Sequence, residues 1–249
     1  MMEISQRVSP KLSQTSNNIF LNEKLLARVK SIYDKKEQLN LSTEDAKLLE
    51  DLYESFKANG ATLNKDDKEK YRKLSMDLSM LTLQFDQNAL KDKNRFELQI
   101  TDENELSGLP ESARDAAAML AKSKDKNGWL FNLSAPSYIP FMRYSDKRDL
   151  REKMYREYMS VGNKGDEFDN KDIIKKIVNI RLEIAQLMGF KNYAEYALEH
   201  TMAKNSANVY KLLNQLLEAY KPIAINEYNA VEGFALGTEK ENITVMPWE

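Results

Sequence analysis

His200 is the single histidine among 249 residues, and Glu199 precedes it in the stretch "YALEHTMAK". A zinc-peptidase helix sets two histidines at i and i+4, so that both imidazoles reach one metal, with a glutamate between them as general base. Here Lys204 stands four residues after His200 and Tyr196 four before it, so neither the forward nor the inverted spacing is present. His200 is therefore read as a partly exposed side chain on a helix, on the Tyr193/Tyr196 face, and not as a zinc ligand. The acidic stretch "GDEFDNKD" invites a calcium reading, but counting from Asp166 puts Phe168 third and Lys171 sixth. An EF-hand loop needs an oxygen ligand and a glycine at those places. The stretch reads instead as a solvated loop whose Asn170 caps the next helix. The absence of cysteine removes disulfides, Cys-zinc sites and thiol nucleophiles. Gly162 and Gly165 lack the phosphate-loop pattern, and serine-based hydrolysis would need His200 as its base. The sequence thus assigns no catalytic residue, no metal ligand and no substrate-binding residue.

Composition narrows the classes further. Lys+Arg (37) and Asp+Glu (39) nearly cancel, for a formal charge of −2, which argues against a basic nucleic-acid binder or an acidic tail. No apolar run approaches a membrane span, and "MMEISQRVSP" has no apolar core of a signal peptide. The sequons at Asn40, Asn132 and Asn242 matter only for a chain secreted by a eukaryote. With 8 Gly and 6 Pro, the chain favours long helices over a sheet of many tight turns.

The elements that would position any site follow from periodicity. After the polar stretch "SQTSNNIF", Leu21, Leu25, Leu26, Val29 and Ile32 recur at helical spacing. A capping box of Ser42 and Asp45 opens the next helix, and Gly60 ends it. Asn64 caps the longest pattern, whose buried stripe is predicted to run Leu74, Leu78, Leu81, Phe85 and Leu90. "RFELQI" and "WLFNLS" alternate as strands, so the expected fold is mainly α: a multi-helix lobe with one small β-ribbon, about residues 96–100 and 129–134. A small helix starts near Pro110 between the strands. "PSYIPF", with prolines at 136 and 140, is expected to be a rigid non-helical connector. Helices follow behind Ser145, behind Asn170 up to Gly189, and behind Asn192 with Glu195 at the capping-box position. A last long helix is bent near Pro222. Residues 1–249 are read as one lobe.

Several stretches resemble one family. "SNNIFLNEKLLARVKSIYDKK", "FKANGATLNKDDKEKYRKLSMDLSMLTLQF", "PSYIPFMRYSDKRDLREKMYREY" and above all "IVNIRLEIAQLMGFKNYAEYALEHTMAKNSANVYKLLNQL" resemble the amino-terminal half of the thimet-oligopeptidase-like zinc metallopeptidases, in their peptidyl-dipeptidase and oligopeptidase A branch. The resemblance runs from about residue 9 to residue 223 and returns in "MPWE"; residues 224–245 depart from it. It is a likeness of scaffold and not of catalytic motifs. The resemblance implies a helical molecule divided by a deep channel with zinc at its floor, open only to short peptides. It also implies that the His-Glu-x-x-His helix lies carboxy-terminal to everything matched here. On that basis the chain is expected to be the channel-wall lobe of a cytoplasmic peptidase of short peptides, inactive alone and truncated at both ends relative to the family. Zinc would belong to the parent and not to this piece, and the partners would be short peptides and a catalytic half, with no nucleic acid and no membrane. Such a lobe should expose an apolar surface and tend to self-associate. The rival reading is a stand-alone helical module that binds peptides or proteins without cutting them.

Overall fold

The computed structural model describes residues 2–238 and 244–249, so Asn242 lies outside the described residues. Among them are ten α-helices and one two-stranded antiparallel sheet, as the composition suggests. The chain divides into two compact units, Met1–Asp86 with Asp172–Tyr210, and Gln87–Lys171 with Lys211–Glu249.

The first unit holds α1 (Met2–Phe20), α2 (Glu23–Tyr33), α3 (Thr43–Ala58), most of α4 (Lys65–Arg95), α8 (Lys171–Leu187) from its second residue and α9 (Tyr193–Leu198). Helix α1 was not legible from its polar sequence. It is held by side-chain hydrogen bonds to α4: Ser9 pairs with Ser79 at 3.0 Å, and Asn17 donates to Ser75 at 2.9 Å. Asn22 caps α2 by accepting from the N–H groups of Lys24 and Leu25. Ser42 caps α3, accepting from Asp45 N–H while its hydroxyl donates to the Asp45 carboxylate at 2.8 Å. Gly60 then takes φ +82 after α3, a left-handed step that an L side chain resists. Asn64 accepts from Asp67 N–H at the head of α4. The core gathers Leu21, Tyr71, Leu74 and Ile184, with Leu63, Leu78 and Tyr196 against them. Burial pushes the Tyr71 hydroxyl above its usual range, and it donates to Tyr196, whose own hydroxyl donates to the Ala58 carbonyl at 2.6 Å. Gly189 at φ +85 closes α8, and Phe190 N–H returns to the Ala185 carbonyl.

The second unit is built on β1 (Leu98–Ile100) and β2 (Trp129–Phe131), paired Leu98↔Phe131, Gln99↔Leu130 and Ile100↔Trp129. Helices α5 (Glu111–Ser123), α6 (Ala135–Tyr144) and α7 (Arg148–Met159) surround it, and α10 (Ser206–Thr238) enters the unit at Lys211. Its core joins Leu98, Ile100, Leu106, Leu109, Phe131, Leu133, Phe141 and Met154, with the Phe131 and Phe141 rings edge to face at 4.8 Å.

Three expectations are corrected here. "PSYIPF" is helical, inside α6. Pro136 falls in the first turn, where backbone N–H groups have no intrahelical acceptor to lose, and Pro140 forfeits a single bond in a ten-residue helix anchored by fully buried Phe141. The cap of α7 is Lys147 and not Ser145; the Ser145 hydroxyl accepts from Lys147 N–H, two residues on. Leu90 is 47% exposed, because near the end of α4 the inward face carries polar groups, with Gln87, Asn88 and Asp92 buried.

Candidate functional site

His200 does not sit on a helix. Helix α9 ends at Leu198, and the chain turns through Thr201 to Lys204, which takes φ +61. The i, i+4 geometry of a two-histidine site is therefore missing in the backbone as well as in the residue types. His200 Nε2 lies 3.3 Å from Glu199 and 3.8 Å from Glu54, with its side chain 46% exposed. The surrounding cleft, about 670 Å³, is lined by Lys47, Asp51, Glu54, Ser55, Asn59 and Lys204 among others. Two of its carboxylates are already paired: Lys47 meets Asp51 at 2.7 Å and Lys57 meets Glu54 at 2.9 Å, and the Glu54 bond holds the Lys57 ammonium above its usual range. Tyr196 is turned into the core toward Ala58. One imidazole between two carboxylates in open water can orient a solvent molecule, but it does not meet the ligand set of a water-activating zinc. Among the described residues no three His, Cys, Asp or Glu side chains come together in a way that could hold a metal ion.

The loop "GDEFDNKD" is tied by its own chain. Gly165 N–H donates to Asp169 at 2.6 Å, and Phe168 N–H donates to Asp166 at 3.0 Å. The Lys171 ammonium and its backbone N–H hold the Asp169 carboxyl down at about 2. Arg95 pairs with Asp166 and keeps that carboxyl below its ordinary value. Asn170 is buried and accepts from Asn88 at 3.1 Å.

Two clusters in the second unit had no sequence signal of their own. Asp92, wholly buried on α4, accepts from Gly162 N–H at 2.7 Å, from Lys164 at 3.2 Å and from Arg95 at 2.7 Å, so it anchors the loop after α7. Trp248 and Glu249 clasp α7. Trp248 is 4% exposed, its carbonyl accepts from Arg151 at 2.7 Å, and Arg156 stands 4.8 Å from its ring centroid. Arg148 pairs with Glu249 at 2.6 Å. Both clusters are ion-paired and hydrogen-bonded within themselves, as structural networks are.

The described residues are mainly helical, and two of their polar clusters brace the loop after α7 and α7 itself. Comparison with known proteins supplies the class. Residues 141–249 match Peptidase family M3. The whole chain aligns with Oligopeptidase A of Salmonella typhimurium (32% identity over 256 residues) and of Haemophilus influenzae (33% over 255). It also aligns throughout with the Dipeptidyl carboxypeptidase of Escherichia coli, at 28% over 250 residues. The chain spans 37% of the length of each of these relatives, in their amino-terminal part. The relationship to this peptidase family, read above from scattered scaffold stretches, is thereby shown.

Proposed function

We propose that residues 1–249 act as one lobe, the amino-terminal channel wall of a zinc-dependent oligopeptidase or peptidyl-dipeptidase that cuts short peptides. The metal and the general base come from polypeptide outside these residues, and the enzyme works in the cytoplasm. What this piece supplies is confinement: walls that admit unfolded peptides and align them. The observation that carries the reading is an alignment of the complete chain with Oligopeptidase A, combined with a sole histidine that has no second imidazole beside it. No catalytic step is assigned to any residue here, because His200, Glu199 and Glu54 do not fit a zinc site.

The test has two arms. The purified chain, given a quenched fluorescent peptide with and without added zinc, is expected to show no chelator-sensitive hydrolysis. Turnover that is lost with chelator and in His200→Ala would overturn the reading. Nucleotide sequence beyond codon 249 is expected to continue in frame to a His-Glu-x-x-His helix. A stop codon there, together with peptide binding without turnover, would favour the stand-alone binding module.

A further inference from the structure

We propose that Asn127 is a modification site: it loses its side-chain ammonia spontaneously, becomes isoaspartate, and thereby unfastens the head of β2. The chain holds two Asn-Gly steps, Asn59-Gly60 and Asn127-Gly128. Asparagine is a thermolabile residue. In such a step the glycine nitrogen reaches the asparagine Cγ readily, because the glycine has no Cβ to stand in the way. The two steps are alike in sequence, and the fold treats them differently.

Asn59 is locked. It is half-buried at the end of α3, and its side-chain Nδ2 donates to the Ser55 carbonyl at 2.8 Å. Gly60 is buried, and its N–H donates to the Lys57 carbonyl at 3.0 Å. Both reacting groups carry a hydrogen bond that the attack must break. Asn127 and Gly128, by contrast, are exposed. Among the described residues neither the Asn127 side-chain amide nor the Gly128 N–H makes a hydrogen bond, while the Asn127 backbone carbonyl accepts from Gln99 Nε2 at 2.8 Å. The fold also requires glycine here. Gly128 takes φ +78, and a Cβ on it would stand 2.2 Å from the Ile100 carbonyl oxygen. The residue that lets the two strands approach is thus the one that leaves the attacking nitrogen unhindered.

Water is the sole co-reactant. The Gly128 nitrogen gives its proton to solvent hydroxide and bonds to Asn127 Cγ, and Nδ2 leaves as ammonia. Water then opens the resulting succinimide. Cleavage between the ring nitrogen and Cγ gives aspartate; cleavage between that nitrogen and the original carbonyl carbon gives isoaspartate. In isoaspartate the main chain runs through Cβ and Cγ, one atom longer than before, and the carbonyl that held Gln99 becomes part of a free carboxylate. The extra atom falls directly before Gly128, which is packed against the backbone of Ile100 and Thr101. Trp129, the next residue, is therefore expected to slip from its pairing with Ile100. The charge itself is tolerated: Lys124 and Lys126 both pair with Glu97, so a new carboxylate enters a stretch with cations to spare.

Peptide mapping by mass spectrometry of the purified chain, aged in warm and mildly alkaline buffer, is expected to show Asn127 converting ahead of Asn59. The two hydrogen bonds that guard Asn59 correspond to a rate ratio on the order of tenfold. In urea both steps are free, and they are expected to convert alike. Isoaspartate is counted by methyl transfer from labelled S-adenosylmethionine with an isoaspartyl methyltransferase, and Asn127→Gln is expected to lose most of that label. Aged chains carrying isoaspartate at 127, once separated, are expected to show Trp129 emission shifted to the red. Asn127→Asp, which adds the charge without the extra atom, is expected to keep the fresh spectrum. Asn59 converting as fast as Asn127 in the folded chain overturns the proposal. So does an isoaspartyl chain whose Trp129 emission matches the fresh one, since the head of β2 would then tolerate the longer link. Neither result bears on the peptidase reading.

Discussion

Removing the Asp92 carboxylate tests whether the second unit depends on an internal anchor. Asp92 has no exposed surface, and it takes the Gly162 N–H at 2.7 Å together with the Lys164 and Arg95 cations. In Asp92→Ala the buried Gly162 donor is left without an acceptor, at a cost of about 1–3 kcal/mol. The two cations contribute less. Lys164 and Arg95 keep 20% and 37% of their side-chain surface and still hold Glu157 and Asp166, so each loss is about 0–1 kcal/mol. The expected total is about 1–5 kcal/mol, which overlaps the range for breaking a buried pair by removing one partner. For a chain of this size each kcal/mol moves Tm by about 2–4 °C, so a drop of about 2–20 °C is expected in thermal unfolding followed by circular dichroism. Asp92→Asn keeps an acceptor for Gly162 and loses only the charge, so it should fall between Asp92→Ala and the native chain. Limited proteolysis should report the same order as faster cleavage between residues 160 and 170. If Asp92→Ala costs less than Asp166→Ala, which removes an exposed pair and one exposed bond from Phe168 N–H, then the buried contact is not the anchor and the reasoning fails.

Three further outcomes can be checked separately. The Asp169 carboxyl is depressed by Lys171 to about 2 from an ordinary 3.8. Its contribution is therefore present above about pH 4 and is lost as pH falls toward 2. Carboxyl NMR should show this titration, and Lys171→Ala should move it back up; an Asp169 that titrates at its ordinary value would refute the assignment. Phe141→Ala empties a fully buried site beside Phe131 and should destabilise by about 3–5 kcal/mol in urea unfolding, whereas Ile139→Ala, 58% exposed on the same helix, should cost far less. Arg151→Ala removes a charged donor from the Trp248 carbonyl, worth about 1.5–3 kcal/mol. It should shift Trp248 emission to the red while Trp129, held in β2, stays unchanged. An unshifted spectrum would mean that the clasp does not rest on Arg151.

Most of the fold could be read in advance because it rests on local rules. Ser42, Asn64 and Asn192 each stand just before a helical run, and all three accept backbone N–H groups there. The two strands announced themselves by alternation, and their short pairing followed. What stayed hidden is what local rules do not reach. Helix α1 has a mixed surface and an interior Pro10, and it is fixed by Ser9 and Asn17 meeting Ser79 and Ser75, 70 and 58 residues away. Prolines 136 and 140 argue against a helix unless the turn each occupies is known, and that is set by where Ser134 places the start of α6. Asp92 looks like any acid in "KDKN" until the loop at Gly162 folds back onto it.

The site shows the same division from the other side. That His200 lacks a partner was plain from residue types, but the sequence put it on a helix. The structure ends that helix at Leu198 and places Lys204 in a left-handed turn. Replacing Lys204 with histidine would therefore not create an i, i+4 pair, because the two side chains would not share a helical face. The second ligand is missing in the backbone as well as in the residue type, and a zinc titration of Lys204→His should find no tight site. Tight stoichiometric binding would require the 198–204 turn to rewind as helix and would refute this prediction.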